Sequence, residues 1–227
     1  MKNSIPTWIN KIKLVAWDLD GTLYPFNADL NQLIEDEKYK TIAHKLGVTE
    51  TVAHQKFSEL YQQLKSNTKV LKQLGIDGEQ FFIDFWQRLD LHPYLSPNPA
   101  LANALADLTQ QRHLQQVIVT NSNTDQTVTK KLNLLGISPQ VFSRMYTSVK
   151  TGFIKPDTRV FQLLLDRHQL QPDQILYIGD REETDIKPAH QIGMRTAIVT
   201  YQPSTEKLTT ADLSVVKPLE ICDLFTN

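Results

Sequence analysis

The hydrophobic pattern changes period along the chain. Residues 13–17 and the segments 117–120 (VIVT), 145–147, 175–178 (ILYI) and 196–199 (TAIV) are short runs with apolar residues on both faces. Such runs predict strands buried inside a parallel sheet. A weaker run at 213–216 predicts a sixth. Between them the apolar residues recur at helical spacing. Leu101, Leu105 and Leu108 share a face entered through Asn98 and Pro99, an N-cap and first-turn pair. Val128, Leu132 and Leu135 form a second face, stopped at Gly136. Val160, Phe161, Leu164 and Leu165 form a third, and Ile186 and Ala189 a fourth that ends near Gly193. Strands alternating with helices predict βαβ units and an α/β fold with a doubly wound, mainly parallel, Rossmann-like sheet.

Residues 26–95 break that rhythm and contain no strand pattern. Leu30, Leu33, Ile34, Ile42, Ala43 and Leu46 are spaced as a helix closed by Gly47, and Ala53, Phe57, Leu60, Tyr61 and Leu64 as another. Asp77 followed by Gln80 resembles a capping box ahead of Phe82, Trp86 and Leu89. The prolines of LHPYLSPNP then lead back to the alternating pattern. The expected organisation is an α/β core formed by 1–25 and 96–227, with 26–95 inserted as an α-helical cap. Extra helices packed on the sheet are the alternative.

Composition narrows the function. The 227 residues carry 24 basic and 25 acidic side chains, a formal net charge of −1. That balance gives no support to a nucleic-acid partner. No apolar run is long enough to span a membrane. The start, MKNSIPTWINKIK, has no apolar leader core, so no signal peptide is expected. Cys222 is the sole cysteine, which excludes an intrachain disulfide and fits a cytoplasmic protein. A buried, inert thiol is its expected state.

The candidate chemistry lies at the strand ends. The first strand runs into Asp18 and Asp20, with Gly21 next. An Asp-x-Asp pair says little alone: 16 aspartates in this length produce about one such pair by chance. Its position says more, because open α/β sheets bind ligands beyond the carboxyl ends of their strands. VIVT leads into Thr120, Asn121 and Ser122, and ILYI leads into GDREETD, with Asp180 and Asp185; GFIKPD places Lys155 in a loop. Each residue also has an ordinary reading, as a cap, a solvated lysine or a first-turn acid. Together they resemble a phosphoryl-transfer site. Clustered carboxylates without a histidine or cysteine suit Mg²⁺, and a lysine, a hydroxyl and backbone amides suit the phosphoryl oxygens. Two neighbouring acids can divide nucleophilic and proton-transfer duties. No P-loop, G-x-G-x-x-G or G-x-S-x-G motif is present.

DLDGT after the first strand, VTNS after the second, KP before a helix, and GDREETD resemble, in order, the four signature motifs of the haloacid dehalogenase superfamily. The helical insert is similar to that family's cap. The resemblance implies a Mg²⁺-dependent phosphatase of small phosphorylated metabolites, a monomer or homodimer. In it Asp18 attacks phosphorus and becomes an aspartyl-phosphate. Asp20 protonates the leaving oxygen, then activates water. Mg²⁺ is held by the Asp18 carboxylate, the Asp20 backbone carbonyl and Asp180, with Asp185 assisting. Thr120, Asn121 and Lys155 bind the phosphoryl group, and Lys155 also eases the charge between it and Asp18. The family's dehalogenases need no Mg²⁺ and typically lack the second aspartate, so Asp20 favours phosphate chemistry. A phosphomutase shares all four motifs, and a non-catalytic binder of phosphometabolites is the remaining alternative. Arg181, Tyr24 and the aromatic group Phe81, Phe82, Phe85 and Trp86 keep open readings: a phosphate or cap contact, an entrance wall, a stacking wall, or plain packing.

Overall fold

The structure, a computed structural model, describes residues 5–122, 124–202 and 209–226. The first four residues of the N-terminal stretch lie outside them. Six strands form one sheet: β1 (Leu14–Trp17), β2 (Gln115–Val119), β3 (Arg144–Tyr146), β4 (Ile175–Gly179), β5 (Arg195–Val199) and β6 (Leu213–Val215). Their order is β3-β2-β1-β4-β5-β6, and every described pairing is parallel. The strands fall within a residue or two of their expected bounds.

The apolar runs have the physical basis their pattern implied. Leu14, Ala16, Val117, Val119, Ile175 and Tyr177 pack with Val160, Phe161, Leu164, Ala189 and Met194 in one cluster. The alternate positions Val15, Trp17, Ile118, Leu176 and Ile178 are also fully buried. A sheet covered on both faces needs no polar side, so its strands show no alternation. Gln116 is the polar exception on β2. It accepts from Trp17 Nε1 at 3.0 Å and donates to the Leu105 carbonyl and the Thr109 hydroxyl, both at 2.7 Å, so its burial is compensated.

Parallel pairing sets the next residues side by side. Trp17 is in register with Ile118 and with Ile178, so Asp18, Val119 and Gly179 follow at one edge. The Asp18 N–H donates to the Ile178 carbonyl at 2.8 Å, and the Thr120 N–H to the Tyr146 carbonyl at 3.0 Å. The strands therefore deliver Asp18, Thr120 and Asp180 to the same carboxyl edge.

Two compact units are present: Met1–Phe26 with Leu95–Asn227, and Asn27–Tyr94. The second is helical, with α1 (Ala28–Leu46), α2 (Glu50–Leu64), α3 (Asn67–Gln73) and α4 (Gly78–Arg88). Asn27 caps α1 by accepting from the Leu30 N–H at 2.9 Å, and Gly47 ends it in the left-handed conformation at φ 64°. The pattern did not foretell α3, whose buried residues are Val70 and Leu71 alone, too few to mark a period. Asp77 caps α4 by accepting from the Gln80 N–H at 3.0 Å, but the Gln80 side chain donates forward to Asp84, so half of the expected capping box forms. Phe82, Phe85 and Trp86 are buried and meet edge to face with their neighbours, the packing reading of that aromatic group.

The sheet unit contributes α5 (Pro99–Gln110), α6 (Asp125–Leu134), α7 (Ser148–Thr151), α8 (Thr158–His168), α9 (Lys187–Gln191) and α10 (Leu219–Asp223). One expected helix around Ile186 is instead a widened turn over Glu182–Ile186 followed by α9. The Ile186 N–H reaches back five residues to the Arg181 carbonyl at 3.3 Å. Such π-type turns recur at functional sites, and this one buries Asp185 under β4. Cys222 is buried on α10, and burial pushes its thiol up to about 12, an inert state.

Phe161 is fully buried with its ring against Tyr177 at 4.9 Å, so Phe161→Ala tests the sheet packing. A loss of about 3–5 kcal/mol in denaturant unfolding is expected.

Candidate active site

The carboxyl edge carries a buried charge cluster. The Lys155 ammonium lies 2.8 Å from Asp18 Oδ1, 2.5 Å from Asp185 Oδ1 and 2.9 Å from the Tyr177 hydroxyl. An ammonium has three N–H donors, and three acceptors surround this one. Burial lowers the proton affinity of Lys155, but the charges of Asp18 and Asp185 and their hydrogen bonds outweigh it and raise the pKa overall. Lys155 is therefore a fixed cation. A direct bond to a phosphoryl oxygen would replace one of its three partners.

Asn121 follows β2 and meets the Lys155 backbone. Its side-chain oxygen accepts from the Lys155 N–H at 2.8 Å, and its amide donates to the Lys155 carbonyl at 3.0 Å. Both ends of the Asn121 amide clamp the Lys155 backbone, and the second N–H of the exposed side-chain NH2 remains to donate to a ligand. Thr120 is buried, and its Oγ1 accepts from the Ser122 N–H at 3.1 Å, which leaves the hydroxyl proton to donate elsewhere.

Asp185 is saturated. Its Oδ1 accepts from Lys155 and from Tyr177 at 3.0 Å, and its Oδ2 from the Arg181 N–H and the Thr184 hydroxyl, both at 3.2 Å. Asp180 is the opposite case: its Oδ1 is buried without a hydrogen-bond partner among the described residues. A buried unpaired carboxylate oxygen is costly and calls for a donor or a cation. Asp18, Asp180 and Asp185 can each bring a carboxylate oxygen within 4.8 Å of the others. These hard oxygen donors fit Mg²⁺. The chain leaves room for the arrangement with glycines. A Cβ on Gly21 would lie 2.3 Å from Asp180 Oδ2, and Gly21 also has φ +87°; a Cβ on Gly179 would lie 2.4 Å from Asp185 Cβ. Arg181 is largely exposed, with Nε 3.8 Å from Asp180 Oδ2.

The crowding shows in the acids. Burial pushes Asp18 up to about 7, with Lys155 opposing and Asp185 and Asp180 adding to the rise. Burial and the Asp185 charge push Asp180 up to about 6, against Arg181 and Lys155. Like charges held out of water resist ionising together.

Asp20 faces away from that cluster into another. Its Oδ1 accepts from the Lys131 ammonium at 2.6 Å and from the Tyr24 hydroxyl, and its Oδ2 from the Ser122 hydroxyl at 2.8 Å. Burial alone would raise its pKa, but the Lys131 charge and the three hydrogen bonds bring it below the usual carboxylate value. Sequence reasoning missed Lys131 and Tyr177 and gave Tyr24 another setting. A signal existed for Lys131, which lies three residues past Val128 on the inward face of α6.

The family model described as haloacid dehalogenase-like hydrolase matches residues 15–199. The chain belongs to that family. It is 28% identical over 212 residues to a ribulose-1,5-bisphosphate 5-phosphatase of Halopiger xanaduensis, covering 85% of each chain. It is also 28% identical over 200 residues to a phosphoglycolate phosphatase of Vibrio vulnificus, covering 84% of this chain and 85% of that one. Among solved structures, a HAD phosphatase from Thermococcus onnurineus superposes with a TM-score of 0.68 at 22% identity, covering 94% of this chain and 97% of that one. As a haloacid dehalogenase-like hydrolase, the protein carries the family's α/β fold. Among the described residues no helix is long and apolar enough to cross a membrane.

The raised acids predict a pH signature. A carboxyl whose folded pKa exceeds its unfolded value binds its proton more tightly when folded. Its stabilising contribution is complete below the unfolded value of 3.8 and is lost as pH climbs through about 7 for Asp18 and about 6 for Asp180. The metal-free protein is expected to melt at a lower temperature at about pH 8 than at about pH 5. Mg²⁺ is expected to raise the melting temperature chiefly at the higher pH. Calorimetry at both values, with and without Mg²⁺, checks this.

Proposed function

We propose that the protein is a Mg²⁺-dependent phosphatase of small phosphate monoesters, working through an aspartyl-phosphate. The observation that carries the reading is the division between the two acids of the first motif. Asp18 meets Lys155, while Asp20 is held by Lys131, Tyr24 and Ser122. Two carboxylates in different settings suit two different tasks.

In the proposed cycle an Asp18 oxygen bonds to phosphorus as the bond to the leaving oxygen breaks. Asp20 gives that oxygen its proton. A dianionic phosphoryl group beside Asp20 raises its proton affinity above that of the empty site. Water then attacks phosphorus, Asp20 takes its proton, and the Asp18–phosphorus bond breaks to release phosphate. Lys155 neutralises charge at Asp18 as the anionic substrate approaches, and Thr120 donates its hydroxyl proton to a phosphoryl oxygen. Asn121 and Tyr177 keep Lys155 in place. Asp18, the Asp20 carbonyl and Asp180 would hold Mg²⁺, with Asp185 orienting the site through Lys155 and the Arg181 N–H. The ion would supply positive charge against the phosphoryl oxygens and join carboxylates that otherwise repel.

The helical unit is proposed as a cap that selects the substrate and shields the site from water. The names of the relatives, ribulose-1,5-bisphosphate 5-phosphatase, glyceraldehyde 3-phosphate phosphatase and phosphoglycolate phosphatase, all describe enzymes of small phosphorylated compounds. They support that substrate class here.

Phosphate release from an aryl phosphate with and without Mg²⁺ tests the reading. Mg²⁺-dependent release is expected, lost in Asp18→Asn. Release that ignores both the metal and that substitution would refute it. Asp20→Asn is expected to slow turnover by about 10²–10⁴-fold, the usual worth of acid–base catalysis.

A further inference from the structure

Lys131 is fully buried on α6, in the same unit as the charge cluster. A lysine taken out of water is costly unless it is paired, and an apolar residue of similar volume would pack there as well or better. Stability alone thus gives α6 little reason to turn an ammonium inward. The direction of its head group supplies one. Its Nζ lies 2.6 Å from Asp20 Oδ1 and 3.4 Å from the Ser122 hydroxyl.

The two oxygens of Asp20 are held unequally. Oδ1 accepts from a charged donor and from the Tyr24 hydroxyl. Oδ2 accepts from the single neutral hydroxyl of Ser122. Hydrogen bonds from a charged donor are about twice as strong as neutral ones. Oδ2 is therefore the oxygen that exchanges its partner at lower cost.

We propose that Lys131 is a positioning residue for Asp20: with Tyr24 it fixes Oδ1 and leaves Oδ2 as the oxygen that exchanges protons with substrate. The inference rests on the acid–base role given to Asp20. In the first half-reaction the proton on Oδ2 passes to the leaving oxygen as its bond to phosphorus breaks. In the second, Oδ2 takes a proton from the attacking water, and the residue returns to its starting state. Lys131 touches no reacting atom and acts by holding the carboxylate's orientation.

The test is a double-mutant cycle on the full chain with Mg²⁺ and two substrates, an alkyl phosphate and an aryl phosphate with a good leaving group. Misplacing a catalytic group by about 1 Å costs up to ~10²-fold, so Lys131→Met is expected to lower kcat on the alkyl phosphate by about 10–100-fold. KM should move by less than about threefold, since the interaction serves the transition state. The aryl phosphate, whose leaving group needs less protonation, should lose less, and Lys131→Arg should regain part of the alkyl activity. In the Asp20→Asn background, Lys131→Met should cost less than about twofold, because its effect runs through Asp20. Lys131→Gln, which keeps a donor, serves the same cycle if the methionine variant does not fold. Additive losses, or equal losses on both substrates, would overturn the inference while leaving the phosphatase reading intact. An Asp20→Asn variant within about tenfold of the parent would remove the acid–base role itself, and the inference with it.

Discussion

The Lys155 ammonium lies between the Asp18 and Asp185 carboxylates, at 2.8 and 2.5 Å, with all three groups buried. Removing one member of such a set strands an uncompensated charge in a poor solvent. Much of the local architecture keeps that from happening. Asn121 grips the Lys155 backbone from the end of β2, Tyr177 supplies a hydroxyl from within β4, and the widened turn after β4 turns Asp185 inward. Parallel pairing of β1 with β2 and β4 brings these contributors to one edge.

The same constraint leaves a deficit of positive charge on the other side of Asp18. Lys155 bonds to Asp18 and Asp185, and Asp180 Oδ1 has no hydrogen-bond partner among the described residues while Asp185 is fully bonded. The asymmetry fits a cation held beside Asp18 and Asp180, with Asp185 in support. Gly21 and Gly179 are small because side-chain carboxylates occupy the space a Cβ would need. Asp20 escapes this field by turning to Lys131. Two acids one residue apart thus meet different cations, the physical basis for giving them different work.

The fold was readable where burial left a period in the sequence. Strands covered on both faces show as apolar runs, and the caps Asn98 and Asp77 were visible as residue types. α3 and the widened turn were not, because two buried residues set no period and a π-type turn depends on tertiary contacts. At the site, Asp18, Thr120 and Asp180 were legible because they follow strands. Asn121 was recognisable as a polar residue at such an end, but its partner was not, since that lies 34 residues away. Tyr177 read as one more apolar residue of a buried strand. Lys131 was missed, because the carboxylate that draws it inward is 111 residues earlier in the chain.

The central claim is that Asp18 carries the phosphoryl group between substrate and water. Acid-quenching the enzyme during turnover with Mg²⁺ and a phosphate monoester, then mapping its peptides by mass spectrometry, tests this most directly. The account predicts one phosphoryl group on the peptide containing Asp18, absent from Asp18→Asn and removed by hydroxylamine, as an acyl phosphate should be. A phosphoryl group on another residue, or turnover by Asp18→Asn at the parent's rate, would contradict it.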